Sequence, residues 1–488
     1  TPNDEPMAAS PTSAPASTDA PSVPAAPEAK TTPTPTPTPS PIVPPTRTVP
    51  DPTVTAPPPV AATPQLVLAM ADVGDLVLGR DGMVGATLSN VGKAAASNVT
   101  VLVTLPAGVL ADASRLVSID GARGWSCVTV VAGLSCTAAT LAPGATVAIY
   151  LPVSVAAGAA GAPGASSSAL GVASQSVTAK MPVVAQGLGT RFIANGQYAT
   201  TVAGASFASC DLAVPECLLA RDRAPGAVLD NNDWSMVAVD AASTGSVSST
   251  TQLTMPAGAT VAFAGLYWSG ITPDTTSDAD LGTITLTSPG TVSSPVVAAR
   301  VDHVATEQGD SYEAFADVTS LVAAGGAGAW TASGALVGPG APATPGSTLG
   351  DGIYAGWSLV VVYGDSTLSS GRATVFDGFE RVAASRVSFV VAGLPSSSVE
   401  VHAVVWEGDA GTTGDSLALD GVPLTRAAGS SDPNNAFDST AAGSAWANSF
   451  GVDAGAFQLA LLARSRGTLE ATSTGDFFTV GVVTTTTR

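Results

Sequence analysis

The side chains best equipped for chemistry in this chain are oxygen donors gathered in short segments. Asp230-Asn231-Asn232-Asp233 is one such group. Asp274, Asp278 and Asp280 form a second, Glu407, Asp409 and Asp415 a third, and Asp432, Asn434, Asn435 and Asp438 a fourth. A calcium ion takes about six to eight hard oxygen ligands at once, so loops of this composition are where it would bind. Glu407, Asp409 and Asp415 are the best candidates, because carboxylates recur in one Gly/Thr-rich loop that follows a strand. None of the four groups has EF-hand spacing. Asp and Asn also populate turns because their side chains bond nearby backbone. Turn chemistry is therefore the first reading of all four groups, and bound Ca2+ the second.

Catalytic sets are scarce. The sequence has no G-x-S-x-G, no H-E-x-x-H and no Gly-rich phosphate loop. His303 and His402 are the two histidines, and His402 sits on an alternating stretch that reads as a sheet face. The lysines are Lys30, Lys93 and Lys180. Schiff-base, P-loop and Lys–Asn isopeptide chemistry are thereby excluded from everything beyond residue 180. Glu380 and Glu407 are the paired carboxylates a glycosidase would need, which makes an extracellular hydrolase the third function considered. Sugar binding on a β-sandwich uses exposed aromatics beside polar loops. Trp406, Trp446 and Tyr312 could serve, whereas Trp268 and Trp357 fall in apolar runs and read as core. The loop from Asn434 to Asn448, with Asn434, Asn435, Phe437 and Trp446, is the candidate ligand-binding surface.

The charge excludes other partners. A formal charge of −20, from 18 Lys and Arg against 38 Asp and Glu, leaves no basic cluster for nucleic acid or anionic lipid. No run of 18 apolar residues is present, so direct membrane insertion is not expected. The four cysteines fall in two close couples, Cys127 with Cys136 and Cys210 with Cys217. Three connectivities exist for four cysteines, and local pairing is the natural one. Each short loop would gain about 2–3 kcal/mol from closure in the chain-entropy model, and disulfides imply an oxidising compartment. Without CxxC spacing, zinc is not expected.

These side chains need elements to position them. Residues 1–64 are rich in Pro, Thr, Ala and Ser, including Thr31 to Pro41 in near-strict Thr-Pro alternation. Such a segment favours polyproline II, buries nothing and reads as a disordered stalk. The opening Thr1-Pro2-Asn3-Asp4 reads as a processed terminus. From residue 65 the pattern is β throughout. Hydrophobic residues make up 45% of the chain but aromatics only 5%, so small apolar side chains must fill thin sandwiches with many short strands. Residues 65–186 are expected to form an immunoglobulin-like sandwich. There Val99, Val101, Val103 and Leu105 share one face, and Trp125-Ser126-Cys127 pairs with Leu134-Ser135-Cys136. Residues 187–488 are expected to form a larger antiparallel sandwich, jelly-roll-like, as the head. Thr260–Trp268 and Trp357–Tyr363 are apolar on both faces, as central strands should be. Val399–Trp406, Phe457–Leu462 and Phe477–Val483 complete the set, and Asp317–Ala324 reads as one short helix.

Asn90-Val91-Gly92, Val99 to Gly108, Gly124-Trp125-Ser126-Cys127, Leu134-Ser135-Cys136 and Leu141-Ala142-Pro143-Gly144 closely resemble the immunoglobulin-like repeat of bacterial surface proteins. That repeat, known only as a domain of unknown function, would cover about 120 residues here. The head resembles a module of large bacterial surface proteins. The resemblance is carried by Asn231-Asn232-Asp233, Ala264 to Trp268, Ala355 to Tyr363, Phe376-Asp377-Gly378-Phe379, Glu407-Gly408-Asp409, Gly414 to Leu417 and Thr474-Gly475-Asp476. These resemblances imply a secreted, surface-displayed protein and lend no catalytic residue. The expected function is therefore non-enzymatic: a structural or adhesive protein presenting a β head on a stalk, as a subunit of a fibre or surface layer. Its expected partners are an extracellular ligand such as a glycan, or copies of itself. A carbohydrate-binding module, calcium-dependent or not, is the alternative.

Overall fold

The computed structural model describes residues 62–115, 117–180, 182–240, 247–272, 276–306, 309–337, 353–383, 386–392, 398–429, 432–459, 466–475 and 477–488. The stalk up to residue 61, Asp274, Asp476 and the end of the strand expected at Phe457–Leu462 lie outside these residues. What is described is all-β, as the sequence predicts: antiparallel sheets stacked as sandwiches, with a few short helices.

The first sandwich has two sheets. One orders Leu66–Ala71, Asp81–Asn90, Thr146–Val155 and Val109–Ala111, with Ser118–Gly121 also paired to Thr146–Val155. The other orders Val172–Thr178, Gly164–Ala169, Ala96–Thr104, Gly133–Leu141 and Trp125–Val130. Alternation drives them together. Val99, Val101 and Val103 are buried against Val84, Ala86 and Leu88 of the facing sheet. Leu105, just past the strand, is only partly buried at the rim of this core. Cys127 lies directly opposite Cys136 in the hairpin, and the two are bonded.

The head is a sandwich extended on both sides. Its inner sheets are Tyr198–Ser206, Ala355–Gly364, Thr260–Thr272, Gly309–Asp317 and Arg300–Thr306, against Gly189–Gly196, Gly371–Ala383, Phe477–Thr487, Val399–Trp406, Val452–Leu459 and Thr425–Arg426. A third sheet, of Ser248–Leu253, Gly328–Ser333, Thr283–Thr287 and Ser293–Val297, covers the outer face of the first. A fourth, of Arg386–Ala392, Arg466–Ser473, Asp415–Leu419 and Val422–Pro423, covers the outer face of the second. The central strands therefore have no solvent face. In Thr260–Thr272, Tyr267 reaches inward to Asp377 at 3.2 Å, while Trp357 of the neighbouring strand reaches outward to Ser249 at 2.8 Å. In Val399–Trp406, Val404 and Trp406 enter one core and Val401, Ala403 and Val405 the other. The expected short helix is present as Thr319–Gly325, and Asp317 accepts from the Thr319 N–H at 2.9 Å.

Candidate functional site

Three of the four oxygen-rich segments meet at one end of the head. Residues 407–415 leave strand Val399–Trp406 and enter strand Asp415–Leu419, so this loop connects the second inner sheet with the sheet that covers it. The 3-10 turn Asn231–Asp233 lies against its first half. Asn231 Nδ2 donates to Glu407 Oε1 at 3.3 Å and Asn232 Nδ2 to Asp409 Oδ2 at 3.1 Å. Asp230 accepts from the Gly411 N–H at 2.5 Å and the Thr412 hydroxyl at 3.0 Å. The segment 432–439 closes the other half. Asn435 Nδ2 donates to the Ala410 carbonyl at 3.2 Å, Gly414 N–H to the Asn434 carbonyl at 2.7 Å, and Phe437 N–H to Asp415 Oδ2 at 2.6 Å. Turn chemistry is realised too, as in the Asn434 N–H to Asp432 Oδ1 bond of 2.9 Å.

The cluster is buried and held in unusual backbone. Glu407, Asp409 and Asp415 are 2%, 2% and 0% exposed, and Asn231 and Asn435 0% and 5%. Glu407 and Ser439 adopt left-handed conformations, φ 72° and 57°, each costing about 1–3 kcal/mol for a non-glycine residue. They are linked: Ser439 Oγ donates to the Gly408 carbonyl at 2.5 Å and accepts from the Gly451 N–H at 2.8 Å, and Glu407 N–H donates to the Gly451 carbonyl at 2.7 Å. Behind the loop, Arg426 pairs with Asp453 at 2.9 Å and donates to the Thr440 carbonyl at 2.7 Å. Among the described residues no three His, Cys, Asp or Glu side chains come together as a metal-holding group. The three carboxylates expected from sequence therefore share a cluster without forming a ligand set by themselves. Asp278 and Asp280 lie elsewhere, in the helix Asp278–Leu281 capped by Ser277, where Asp278 and Asp310 bind His303 at 3.0 and 2.5 Å. Burial opposes charge on His303, but these two carboxylates outweigh it and raise its pKa.

A groove of about 580 Å³ opens beside the cluster. Strand Ala208–Cys210 and helix Glu216–Arg221 are joined by the Cys210–Cys217 disulfide, and together with Met236–Ala238 they form one wall. Trp446 forms part of the opposite wall, half-buried, and the Arg221 guanidinium stacks 3.9 Å from its ring centre. Arg221 Nε donates to Ser209 Oγ at 2.8 Å. Leu212 and Val237 add apolar lining, and Asp211, Thr250 and Ser444 polar lining. The Asn448 N–H bond to the Arg221 carbonyl at 3.0 Å fixes the two walls.

Several sequence assignments need correction. Phe437 is not on a ligand surface: it is fully buried, 4.7 Å from Phe478 and 6.1 Å from Phe457 between ring centres. It plugs the end of the core between the second inner sheet and the sheet that covers it, because a loop closing a sandwich must supply an apolar stopper. Asn435 is buried beside it, Asn434 is exposed, and only Trp446 of the four expected ligand residues lines the groove. Trp406 and Tyr312, expected as exposed aromatics, are core. Trp406 donates its indole N–H to Glu313 at 2.7 Å. Trp268 and Trp357 are core as expected. Glu380 and Glu407 face different partners, Glu380 the Gly187 N–H and Arg80, Glu407 the Asn231 amide.

Sequence reasoning missed Arg221, Arg426 and Asp453. The signal for the last two was a charge set inside an otherwise apolar strand pattern, which requires a buried partner. It missed the joint to the first sandwich as well. There Arg191 binds Asp377 at 2.7 Å and Asp81 at 2.5 Å, and Asp302 binds Arg80 and Arg300 at 2.6 Å each.

No family model matches this sequence, and no curated protein does. Among solved structures, the C-terminal domain of the Streptococcus agalactiae AgI/II polypeptide BspA is similar at 10% identity, over 64% of this chain and 95% of that one, with a TM-score of 0.17. A BspA_C mutant and wild-type BspA_C align at 9% and 10% identity, each over 64% of this chain and 94% of theirs, with TM-scores of 0.15 and 0.16. A likeness at this level carries no inference about function.

Proposed function

We propose that this chain is an extracellular, non-enzymatic protein displayed at a bacterial surface. In this reading it has an adhesive or structural role, and its head engages a glycan through the groove beside Trp446. The observation that carries this reading is the groove itself. It is open, its disulfide-stapled wall is preformed, and it offers an indole, a guanidinium and hydroxyls together. A rigid aromatic beside polar groups is what a sugar ring needs, since one face of a hexose is apolar and its rim is hydroxylated. Preorganised walls reduce the ordering cost of binding. The two disulfides support an oxidising compartment, and the Pro/Thr-rich N-terminal composition supports display at a distance from an anchor.

The test is a glycan array probed with the full chain, followed by titration of the strongest hit. Trp446→Ala is expected to weaken that hit by at least about tenfold, or ~1.4 kcal/mol, with the melting temperature held. An array without hits, or a hit indifferent to Trp446→Ala, overturns the glycan reading.

A further inference from the structure

We propose that the three loops at 230–233, 407–415 and 432–439 bind one divalent cation of the calcium class, with the Asn231 and Asn435 amide oxygens among its ligands. The carboxylates alone do not make the argument, because no three of them converge as a metal-holding group among the described residues. The two asparagines do. They come from different segments, and both point their amides at the same loop: Asn231 Nδ2 reaches Glu407, and Asn435 Nδ2 reaches the Ala410 carbonyl. These bonds fix which end of each amide is nitrogen. Both side chains are more than nine-tenths buried, at 0% and 5% exposure, and both Oδ1 atoms have no hydrogen-bond partner.

A buried amide carbonyl without a donor costs about 1–3 kcal/mol. Two such oxygens, on separate segments that both bond the 407–415 loop through their amide nitrogens, are an arrangement that a folded protein keeps when a cation satisfies them. Calcium fits that description, because it accepts mixed sets of carboxylate, amide and backbone oxygens in irregular geometry. Asp409 and Glu407, each touching the 231–232 turn, supply the negative charge. Arg223 and Arg426 bind Asp438, at the end of the third loop, and Arg426 also binds Asp453 behind it. Magnesium, which demands compact octahedral geometry and keeps its waters, is a poor match for a set fixed by three separate loops.

A cation there would sit in an acidic setting. Asp230, Asp233, Glu407, Asp409 and Asp415 concentrate five acidic residues at this end of the head, in a chain that already carries a net charge of −20.

The test uses the full chain freed of metal with a chelator and titrated with CaCl2 by calorimetry, with thermal melting in parallel. The expected result is one site per chain, with a dissociation constant of about 10⁻⁴–10⁻³ M or tighter as in extracellular modules. A higher melting temperature in CaCl2, and little response to MgCl2, should accompany it. Asn435→Ala and Asp409→Asn should each weaken calcium binding by about tenfold or more. Neither binding heat nor a melting shift in the wild-type chain at about 10 mM CaCl2, well above that range, would overturn the proposal and assign the two oxygens to buried water. A calcium response left intact by both variants would overturn it too, by placing the ion elsewhere.

Discussion

Gly408 shows how tightly the loop cluster is built. A methyl group on its Cα would lie 2.4 Å from the Phe437 carbonyl oxygen and 2.5 Å from Asp453 Oδ2. Backbone and a buried, arginine-bound carboxylate cannot yield as a flexible side chain would. Gly408→Ala should therefore destabilise the fold by about 1–3 kcal/mol, read as a lower urea midpoint. A midpoint unchanged from wild type would mean that the loop has slack that the distances deny. At this scale the sequence was partly legible. It identified the oxygen-rich segments and the cysteine couples, because composition and spacing reveal those directly. It misplaced Phe437, Trp406 and Tyr312, because an aromatic in a loop or on a strand can face either way. Burial is decided by what packs against it from distant parts of the chain.

Strands were legible because their side-chain period is two and their ends carry Pro, Gly and Asn. Val399–Trp406 was placed to the residue, and Thr260–Thr272 and Ala355–Gly364 are buried over most of their length, as unbroken apolar runs require. The two covering sheets were not legible as separate layers, since alternation says that a face is buried and not by which partner. His402 illustrates the consequence. It lies on a strand and reads as an ordinary sheet residue, yet it faces Thr200 at 3.0 Å and Thr484 at 3.4 Å in a buried polar pocket. Burial lowers its pKa from 6.5 to about 4, although Glu400 lies 3.7 Å away. The folded state thus holds the neutral ring while the unfolded chain protonates near 6.5. The resulting stability is full above pH 6.5 and is lost as pH falls through about 4. The shift corresponds to about 3 kcal/mol across that window. His402→Gln, which keeps hydrogen-bonding capacity without titrating, should flatten the decline of stability between pH 6.5 and 4 in urea titrations. An identical acid limb in both proteins would refute the assignment.

At the scale of the molecule, residues 61–488 form one compact unit, and the joint between the first sandwich and the head explains why. Arg466 binds Asp72 and Asp75 at 2.8 and 2.9 Å, and Arg372 donates to the Asp72 carbonyl at 3.0 Å. Deeper in, Asp377 is 1% exposed and lies between Arg191 and Arg300. Burial alone would raise its pKa, but the two guanidinium groups prevail and hold it at about 2. Glu313, on the facing inner sheet, is raised to about 8, because burial there exceeds the help from Trp406 and Arg300. The head side of the joint is thus a buried ionic cluster in which Asp377 is the charged anchor, and Asp81 and Arg80 of the first sandwich bind to it. Removing one partner of a buried pair leaves the other charge stranded, at a cost of about 3–5 kcal/mol. Asp81 also binds Arg191, but its side chain is 30% exposed, so water compensates for its loss and the cost should be about 0–1 kcal/mol. Asp377→Ala should therefore lower stability several times more than Asp81→Ala, although both contact the same guanidinium. Urea unfolding of the two variants decides the point. Equal losses would mean that burial does not set the strength of these ion pairs.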